Sequence, residues 1–326
     1  MITIRFFTNS YRAPSLARLA SLTAAVLILA MASAASAQQS YKTAEEAADA
    51  LVNAARSGER KNILTVLGQD GADIASSGDA VADAATRQRF LAAYDAKHHV
   101  AMEGDNKAIL VIGQDDFPFP IPLVRKDGTW QFDTAAGREE ILYRRIGRNE
   151  LSAIQTCLAY IDAQQDYAEK GVAGNGVYAQ RIVSWPGKKD GLYWPAQSGE
   201  DESPLGELAA AAAAEGYRAG QERRPYHGYY YRILTRQGDR APGGAIDYIA
   251  SGKMIGGFAL VAYPAKYGNS GVMTFLVNHL GVVYQKDLGP NAARVAARMM
   301  TFNPDTTWQR VDDTGQPQTE AQEKSQ

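Results

Sequence analysis

The chain after residue 40 begins with apolar residues at helical spacing. Thr43 and Glu46 have the spacing of a capping box, and the helical pattern behind them ends at Ser57 and Gly58. A short helical pattern covers residues 63–67, and a longer one follows before residue 97. The first part of the chain is therefore predicted to be helical.

Strand patterns replace the helical ones after residue 97. Runs that are apolar or alternate in polarity cover residues 98–103, 107–113, 123–126 and 129–132. The dipeptide Asp127-Gly128 is typical of a tight hairpin between the last two runs. Helices followed by short strands predict an α+β fold, in which N-terminal helices cover a curled antiparallel sheet.

A second helical region follows residue 134. Its first part is rich in charged residues and is predicted to break near Gly147, where we place a boundary between two domains, residues 38–147 and 148–312. From residue 150 to 170, apolar residues such as Ile154 and Ile161 share one face. This segment is predicted to be an amphipathic helix that packs on a sheet.

The last third of the chain supplies that sheet. Strand patterns cover residues 229–235, 257–263, 272–278 and 282–286, and they predict an antiparallel meander. Ahead of the sheet, Ser203 and Pro204 have the chemistry of a helix start before an alanine-rich run. The polar tail, residues 313–326, is predicted to be disordered.

Residues 1–37 have the three parts of a cleavable signal peptide. A basic start without acidic residues precedes the apolar run of residues 19–32, and Ala35-Ser36-Ala37 has the small-x-small pattern of a cleavage site. The apolar run is shorter than the roughly 20 residues that a membrane span needs. We therefore expect a soluble mature protein that is periplasmic or secreted and has no membrane span after the leader is cleaved.

Charge and cysteine content narrow the function classes. The formal net charge is −2, and loss of the three leader arginines leaves −5. A mildly acidic protein is a poor partner for phosphate backbones, so no nucleic-acid partner is expected. Cys157 is the only cysteine, which excludes an intramolecular disulfide and a lipid-bearing cysteine after the leader.

Several sequence blocks identify a family resemblance over residues 41–308. The blocks are PFPIPLVRKDGTWQFD, AAGREEILYRRIGRNEL, GLYW, SPLGEL, YHGYYYRIL and a long one that starts GGAIDYIASGKMIGGFALVAYP. They resemble an exported bacterial family, the domain of unknown function numbered 2950. That resemblance implies no reaction.

The C-terminal part also resembles the globular heads of pilins and pseudopilins. The resemblance rests on Ala262-Tyr263-Pro264 at the end of one strand, on the following strand at residues 271–275, and on the Gly-Val-Val turn at residues 281–283. It implies a helix packed on a pilin-head-like meander and says little about function. The strand ending DGTW likewise resembles the nuclear-transport-factor-like cone.

One cluster of candidate binding residues stands out near the start of the C-terminal sheet. Tyr226, His227 and Tyr229 lie in the run PYHGYYY, where aromatic rings and a histidine could build a recognition surface, although the pattern is more typical of a packed aromatic strand. Asp247 and Lys253 flank the glycine-rich strands and complete the candidate set. A carboxylate pair of Asp247 with Asp287, as in hydrolases, is an open alternative.

Other motifs are better explained by structure. His98 and His99 are adjacent on a strand and point to opposite faces, so no metal site is predicted there. Ser270 lies in a predicted turn without the spacing of a nucleophile elbow. The glycine- and serine-rich segment with Asp70, Asp73 and Asp79 lacks calcium-loop spacing and is predicted to be a solvated loop.

These observations favour an exported protein without catalytic residues or a cofactor. We expect it to act by binding or assembly in the cell envelope, with an envelope protein or polymer as partner. Two alternatives stay open: an accessory component of a secretion or pilus-type machine, and a hydrolase that acts on an envelope polymer. The sequence alone leaves the question of enzymatic activity open, although the absence of a recognisable catalytic motif favours a protein that is not an enzyme.

Overall fold

Two five-stranded antiparallel sheets, the helices packed on them and two smaller sheets make up the computed structural model, which describes residues 38–196, 201–218, 224–312 and 314–316. The described residues belong to a single compact unit. The predicted leader, residues 1–37, and most of the predicted disordered tail lie outside them.

Four helices begin the described chain. Their bounds are α1 Ala44–Ser57, α2 Arg60–Leu67, α3 Ala72–Ala75 and α4 Ala80–Ala96. The predicted cap of α1 is confirmed, because the Glu46 N–H donates to Thr43 Oγ1 at 3.1 Å. Gly58 ends α1 with φ +68°, a left-handed conformation that favours glycine.

The first sheet has five strands. They are β1 His98–Met102, β2 Lys107–Ile112, β3 Phe117–Pro118, β4 Leu123–Lys126 and β5 Thr129–Phe132, in the order β1-β2-β4-β5 with β3 paired to β2. Leu123 and Phe132 pack beneath α1 and are fully buried. The predicted strands are confirmed within one residue at either end, except that the short β3 was not predicted.

A single long helix, α5 Thr134–Glu169, leaves this sheet and reaches the second one. The predicted helix break near Gly147 is wrong, since α5 passes through that residue without interruption. A Cβ at Gly147 would meet nothing within 4 Å, so this position costs only the low helix propensity of glycine. Packing on both sides of Gly147 outweighs that cost.

The second sheet packs against the C-terminal half of α5. Its strands are β6 Tyr229–Leu234, β11 Ala259–Pro264, β12 Met273–Asn278, β13 Val283–Asp287 and β15 Gln309–Val311, in the order β15-β13-β12-β11-β6. Ile154, Cys157 and Ile161 of α5 are buried in the core between helix and sheet. The predicted α+β class and amphipathic helix are confirmed.

Small elements complete the fold. They are α6 Gly206–Ala214, β7 Arg236–Gln237, β8 Ile246–Asp247, β9 Ile249–Ala250, β10 Lys253–Met254, α7 Ala292–Ala296 and β14 Thr301–Phe302. The predicted cap at Ser203 is wrong: the Gly206 N–H donates to the Ser203 carbonyl in a turn, and Leu205 precedes the helix. None of the helices in the described ranges has the length and apolar character needed to cross a membrane.

Candidate functional site

A cleft of about 860 Å³ lies between α4 and α5. Its apolar lining comes from both helices, from α1 to α3 and from the edge of the first sheet. The larger apolar side chains are Leu51, Ile63, Leu67, Ile74, Phe90, Ile112, Phe117, Phe119, Ile141 and Leu151. The rings of Phe90 and Phe119 contact each other with their centroids 5.5 Å apart. The cleft therefore offers an aromatic and aliphatic floor of the kind that small-molecule sites share.

Arginines dominate the charged lining of the same cleft. Five of them contribute to it: Arg87, Arg89, Arg144, Arg145 and Arg148. Arg144 and Arg148 are one helical turn apart on α5, which places them on one face. The carboxylates that line the cleft, Asp83 and Glu215, are fewer than the guanidinium groups.

Both of those carboxylates are engaged by groups other than arginine. The Ser77 N–H donates to both oxygens of Asp83, at 3.1 and 3.0 Å. Glu215 Oε2 lies 3.1 Å from His227 Nε2. The excess of positive charge in the cleft is thus not neutralised by its own carboxylates.

Arg148, like Arg87, is a cleft arginine without an internal partner among the described residues. Within the described part of the chain its guanidinium has no hydrogen-bond or ion-pair partner. Partial burial lowers the pKa of Arg148, and the positive charges of Arg89 and Arg144 lower it further. An anion placed among these three side chains would relieve their mutual repulsion.

Arg145 has a different role in the cleft wall. Its Nη1 donates to the Asp73 carbonyl at 2.7 Å and to Asn269 Oδ1 at 2.5 Å, and its Nη2 donates to the Ile74 carbonyl at 3.0 Å. These bonds join α5 to the segment around α3 and to the turn before β12. Arg145 therefore holds the wall together and leaves ligand contact to its neighbours.

Asp73 strengthens the same junction. Its Oδ1 accepts from Lys266 Nζ at 2.5 Å, and its Oδ2 accepts from Arg138. Lys266, followed by Arg138, holds the pKa of Asp73 well below its usual range. The prediction of a solvated loop is wrong for this residue, because its partners come from α5 and from the turn between β11 and β12, far away in sequence.

Asp79 is the second exception to the predicted solvated loop. Only 2% of this residue is exposed. Its Oδ1 caps α4 by accepting from Val81 N and Ala82 N, both at 3.1 Å. Its Oδ2 accepts from Tyr217 and Gly228 across the fold. Four donors explain how the carboxylate is accommodated in the interior.

The structure brings the predicted residues Tyr226 and His227 to the border of the cleft. His227 lines the cleft with Tyr217, and the rings of Tyr226 and His227 meet edge to face with centroids 4.2 Å apart. His227 has φ +48°, a left-handed conformation unusual for a residue with a side chain. Tyr229 is fully buried and its hydroxyl donates to the Met273 carbonyl at 2.9 Å.

Asp247 and Lys253 lie away from that cluster. Asp247 of β8 pairs with Arg236 of β7. Both lie beyond the Leu234 end of β6, whereas Tyr229 is at the other end of that strand. Lys253 lies in the β9–β10 ribbon. Asp287 pairs with Met273 at the Tyr229 end of the sheet, so Asp247 and Asp287 form no carboxylate pair.

The remaining motifs take structural roles. His98 stacks on Tyr94 with ring centroids 3.7 Å apart, and neither it nor His99 joins a group of metal-binding side chains among the described residues. Ser270 is buried in the predicted turn, where its Oγ accepts from Lys266 N at 2.9 Å. His279 packs against Tyr248, and its burial lowers its pKa.

The serine hydroxyl groups of the cleft are held in local hydrogen bonds. Ser77 Oγ accepts from Asp79 N at 3.2 Å, and Ser152 Oγ donates to the Arg148 carbonyl at 3.0 Å. The arrangement is suited to ligand recognition, because positive charge lies beside an apolar floor.

Sequence reasoning did not identify Arg89 and Arg148 as site residues. A signal existed for Arg148: no acidic residue stands three or four positions before or after it on α5. Such a helix position leaves its charge without a local partner. Arg89 carries the same signal, since no acidic residue stands three or four positions from it on α4. That the two arginines share a cleft depends on how α4 packs beside α5.

The comparisons with known proteins give one match. A family model described as "Protein of unknown function (DUF2950)" matches residues 38–311. Neither the curated proteins nor the solved structures give a match. The resemblances to pilin heads and to the nuclear-transport-factor-like cone are therefore not confirmed.

Proposed function

The chain belongs to the DUF2950 family of unknown function, and we propose that it is an exported binding protein whose cleft between α4 and α5 takes up a small molecule. The observation that carries this proposal is the cleft of about 860 Å³ with its apolar floor and its excess of arginines over carboxylates. Binding sites for small molecules have volumes of roughly 300–1,000 Å³ and combine a mostly apolar lining with a few polar groups.

The binding role is supported by where the polar side chains are used. Asp79, Asp73 and Arg145 form hydrogen bonds between segments that are distant in sequence. These bonds keep the cleft walls in place. A preorganised site loses less conformational entropy when a ligand enters. The hydrolase alternative loses its candidate pair, because Asp247 and Asp287 lie at opposite ends of the second sheet.

A neutral fluorescent dye tests whether the cleft binds ligands. We expect Nile red to bind the mature protein, residues 38–326, with a rise in fluorescence. Ala85 lines the cleft on α4, so Ala85→Trp fills part of it and should weaken dye binding about ten-fold. The matched control is Ala92→Trp, on the same helix at an exposed position outside the lining.

Two outcomes of this experiment would contradict the proposal. Equal dye binding by the wild type and Ala85→Trp would place the binding site elsewhere on the protein. If neither Nile red nor the alkyl probes described below bind the folded protein, the proposed function is wrong.

Export is tested separately. The basic start, the apolar run and the small residues at 35–37 support cleavage after Ala37 and a periplasmic or secreted mature protein. Intact-mass analysis of the protein from the cell envelope and from the culture medium should give a chain that begins at Gln38. A product that keeps residues 19–32 would contradict the proposal.

A further inference from the structure

We propose that the ligand of the cleft is an acidic amphiphile, a small molecule with one carboxylate or phosphate group on an apolar body, and that Arg148 together with Arg89 binds the acidic group. This inference rests on the proposed binding function and names the ligand class for the same site. It assigns the two ends of the ligand to two different parts of the lining.

The first step concerns charge. Arg89, Arg144 and Arg148 line the same cleft, and the charges of the first two disfavour the charge of the third. Arginine keeps its proton in proteins, so three like charges persist beside an apolar surface. An anion that joins them relieves their mutual repulsion, and the guanidinium fork matches carboxylate and phosphate oxygens.

The second step concerns internal partners. Arg144 donates to Glu140 Oε1 at 2.5 Å and lies over the Phe117 ring, 5.2 Å from its centroid, so this arginine is already engaged. Among the described residues, Arg89 donates only to Thr86 Oγ1, a neutral group, at 3.1 Å. Arg148 has no partner in the described part of the chain. Of the three clustered arginines, two guanidinium groups are therefore left for a ligand anion.

The third step concerns the apolar body. Phe90 and Phe119 lie in contact within the cleft, and Leu151 is on α5 one turn beyond Arg148. A free inorganic anion would leave this surface in water, whereas an alkyl or aromatic body would cover it at about 25 cal/mol per Å². The lining therefore favours an amphiphile over a bare anion.

Four ten-carbon probes separate headgroup charge from chain binding. Decanoate and decyl phosphate carry the anion, decanol is neutral, and decyltrimethylammonium is cationic. Titration calorimetry on the mature protein, below the concentrations at which the probes form micelles, should give tighter binding of the two anions than of decanol by about ten-fold or more. Decyltrimethylammonium should bind most weakly, and inorganic phosphate alone should not bind measurably.

Two variants assign the headgroup to its arginine. Arg148→Gln should weaken decanoate binding about ten-fold and leave decanol binding unchanged. The matched control is Arg125→Gln, an exposed position on β4 outside the cleft lining, which removes the same charge and should change neither affinity. Thermal unfolding of both variants checks that they are folded.

The outcomes distinguish this inference from the proposed function. Equal affinity for decanol and decanoate, unchanged by Arg148→Gln, would overturn the acidic class and leave ligand binding in the cleft intact. Tight binding of inorganic phosphate alone would overturn the amphiphile. Loss of decanoate binding in Arg125→Gln as well would show a general charge effect and overturn the role of Arg148.

Discussion

The Tyr217 hydroxyl donates a hydrogen bond to Asp79 Oδ2 at 2.8 Å, across 138 residues of sequence. The same oxygen accepts from Gly228 N at 3.0 Å, while the other oxygen of Asp79 caps α4. Burial, followed by the charge of Asp79, raises the pKa of Tyr217 well above its usual value. One carboxylate thereby joins a cleft helix to two points of the chain that precede β6, the first strand of the second sheet.

Asp79→Ala is expected to lower the free energy of unfolding by about 2–4 kcal/mol. The substitution removes the cap of α4 and leaves the Gly228 N–H and the Tyr217 hydroxyl without their charged acceptor. Chemical denaturation measures the change. Asp95→Ala is the control, because Asp95 forms an exposed pair with Arg56, and such pairs contribute about 1 kcal/mol or less. Equal losses in both variants would contradict the role of Asp79.

Acid should weaken the junction between Asp73 and Lys266. The pKa of Asp73 is lowered in the folded protein, so its charge contributes stability above the ordinary pKa near 3.8 and loses it as pH falls toward the folded value. Asp73→Asn should therefore be less stable than the wild type at pH 7, and the difference should shrink below about pH 4.

Denaturant unfolding at a series of pH values measures that difference. Asp116→Asn is the matched control, because Asp116 pairs with Lys97 at an exposed site and should show a small difference at every pH. A stability difference between Asp73→Asn and the wild type that stays constant from pH 7 to pH 3 would show that its charge is not responsible.

The strands could be predicted because each pattern is local. Asp127-Gly128 joins β4 and β5 directly, and the alternating burial of Thr129 to Phe132 is present in the sequence itself. The long helix was harder, since Gly147 has the chemistry of a helix end and only distant contacts override it. Asn149 Nδ2 donates to the Ser270 carbonyl at 2.8 Å, and such a bond leaves no trace in local composition.

The cleft could not be predicted for the same reason. Arg89 and Arg148 lie on different helices, and nothing in their local sequence shows that α4 packs beside α5. Tyr226 and His227 were identified because aromatic residues cluster in their own segment. Asp79 was misinterpreted because glycine and serine surround it, whereas its burial is explained by donors from residues 217 and 228.

Cys157 should resist thiol reagents in the native protein. It is fully buried between α5 and the second sheet, and burial raises its pKa to about 12, so the reactive thiolate is scarce. We expect labelling by a chromogenic disulfide reagent to be slow in buffer and complete within minutes in denaturant. Rapid labelling of folded protein at neutral pH would contradict this burial.

Two glycines of α5 should respond in opposite directions to substitution by alanine. Gly147 is exposed, and a Cβ there would meet nothing within 4 Å, so Gly147→Ala should raise the free energy of unfolding by about 0.5–1 kcal/mol. At Gly137 a Cβ would lie 2.5 Å from the Pro120 carbonyl oxygen and 2.6 Å from Ile121 Cα. Since backbone atoms cannot move aside cheaply, Gly137→Ala should destabilise the protein by about 1–3 kcal/mol. Urea denaturation of both variants measures the two changes, and loss of stability in Gly147→Ala would indicate a bend at Gly147 in place of a continuous helix.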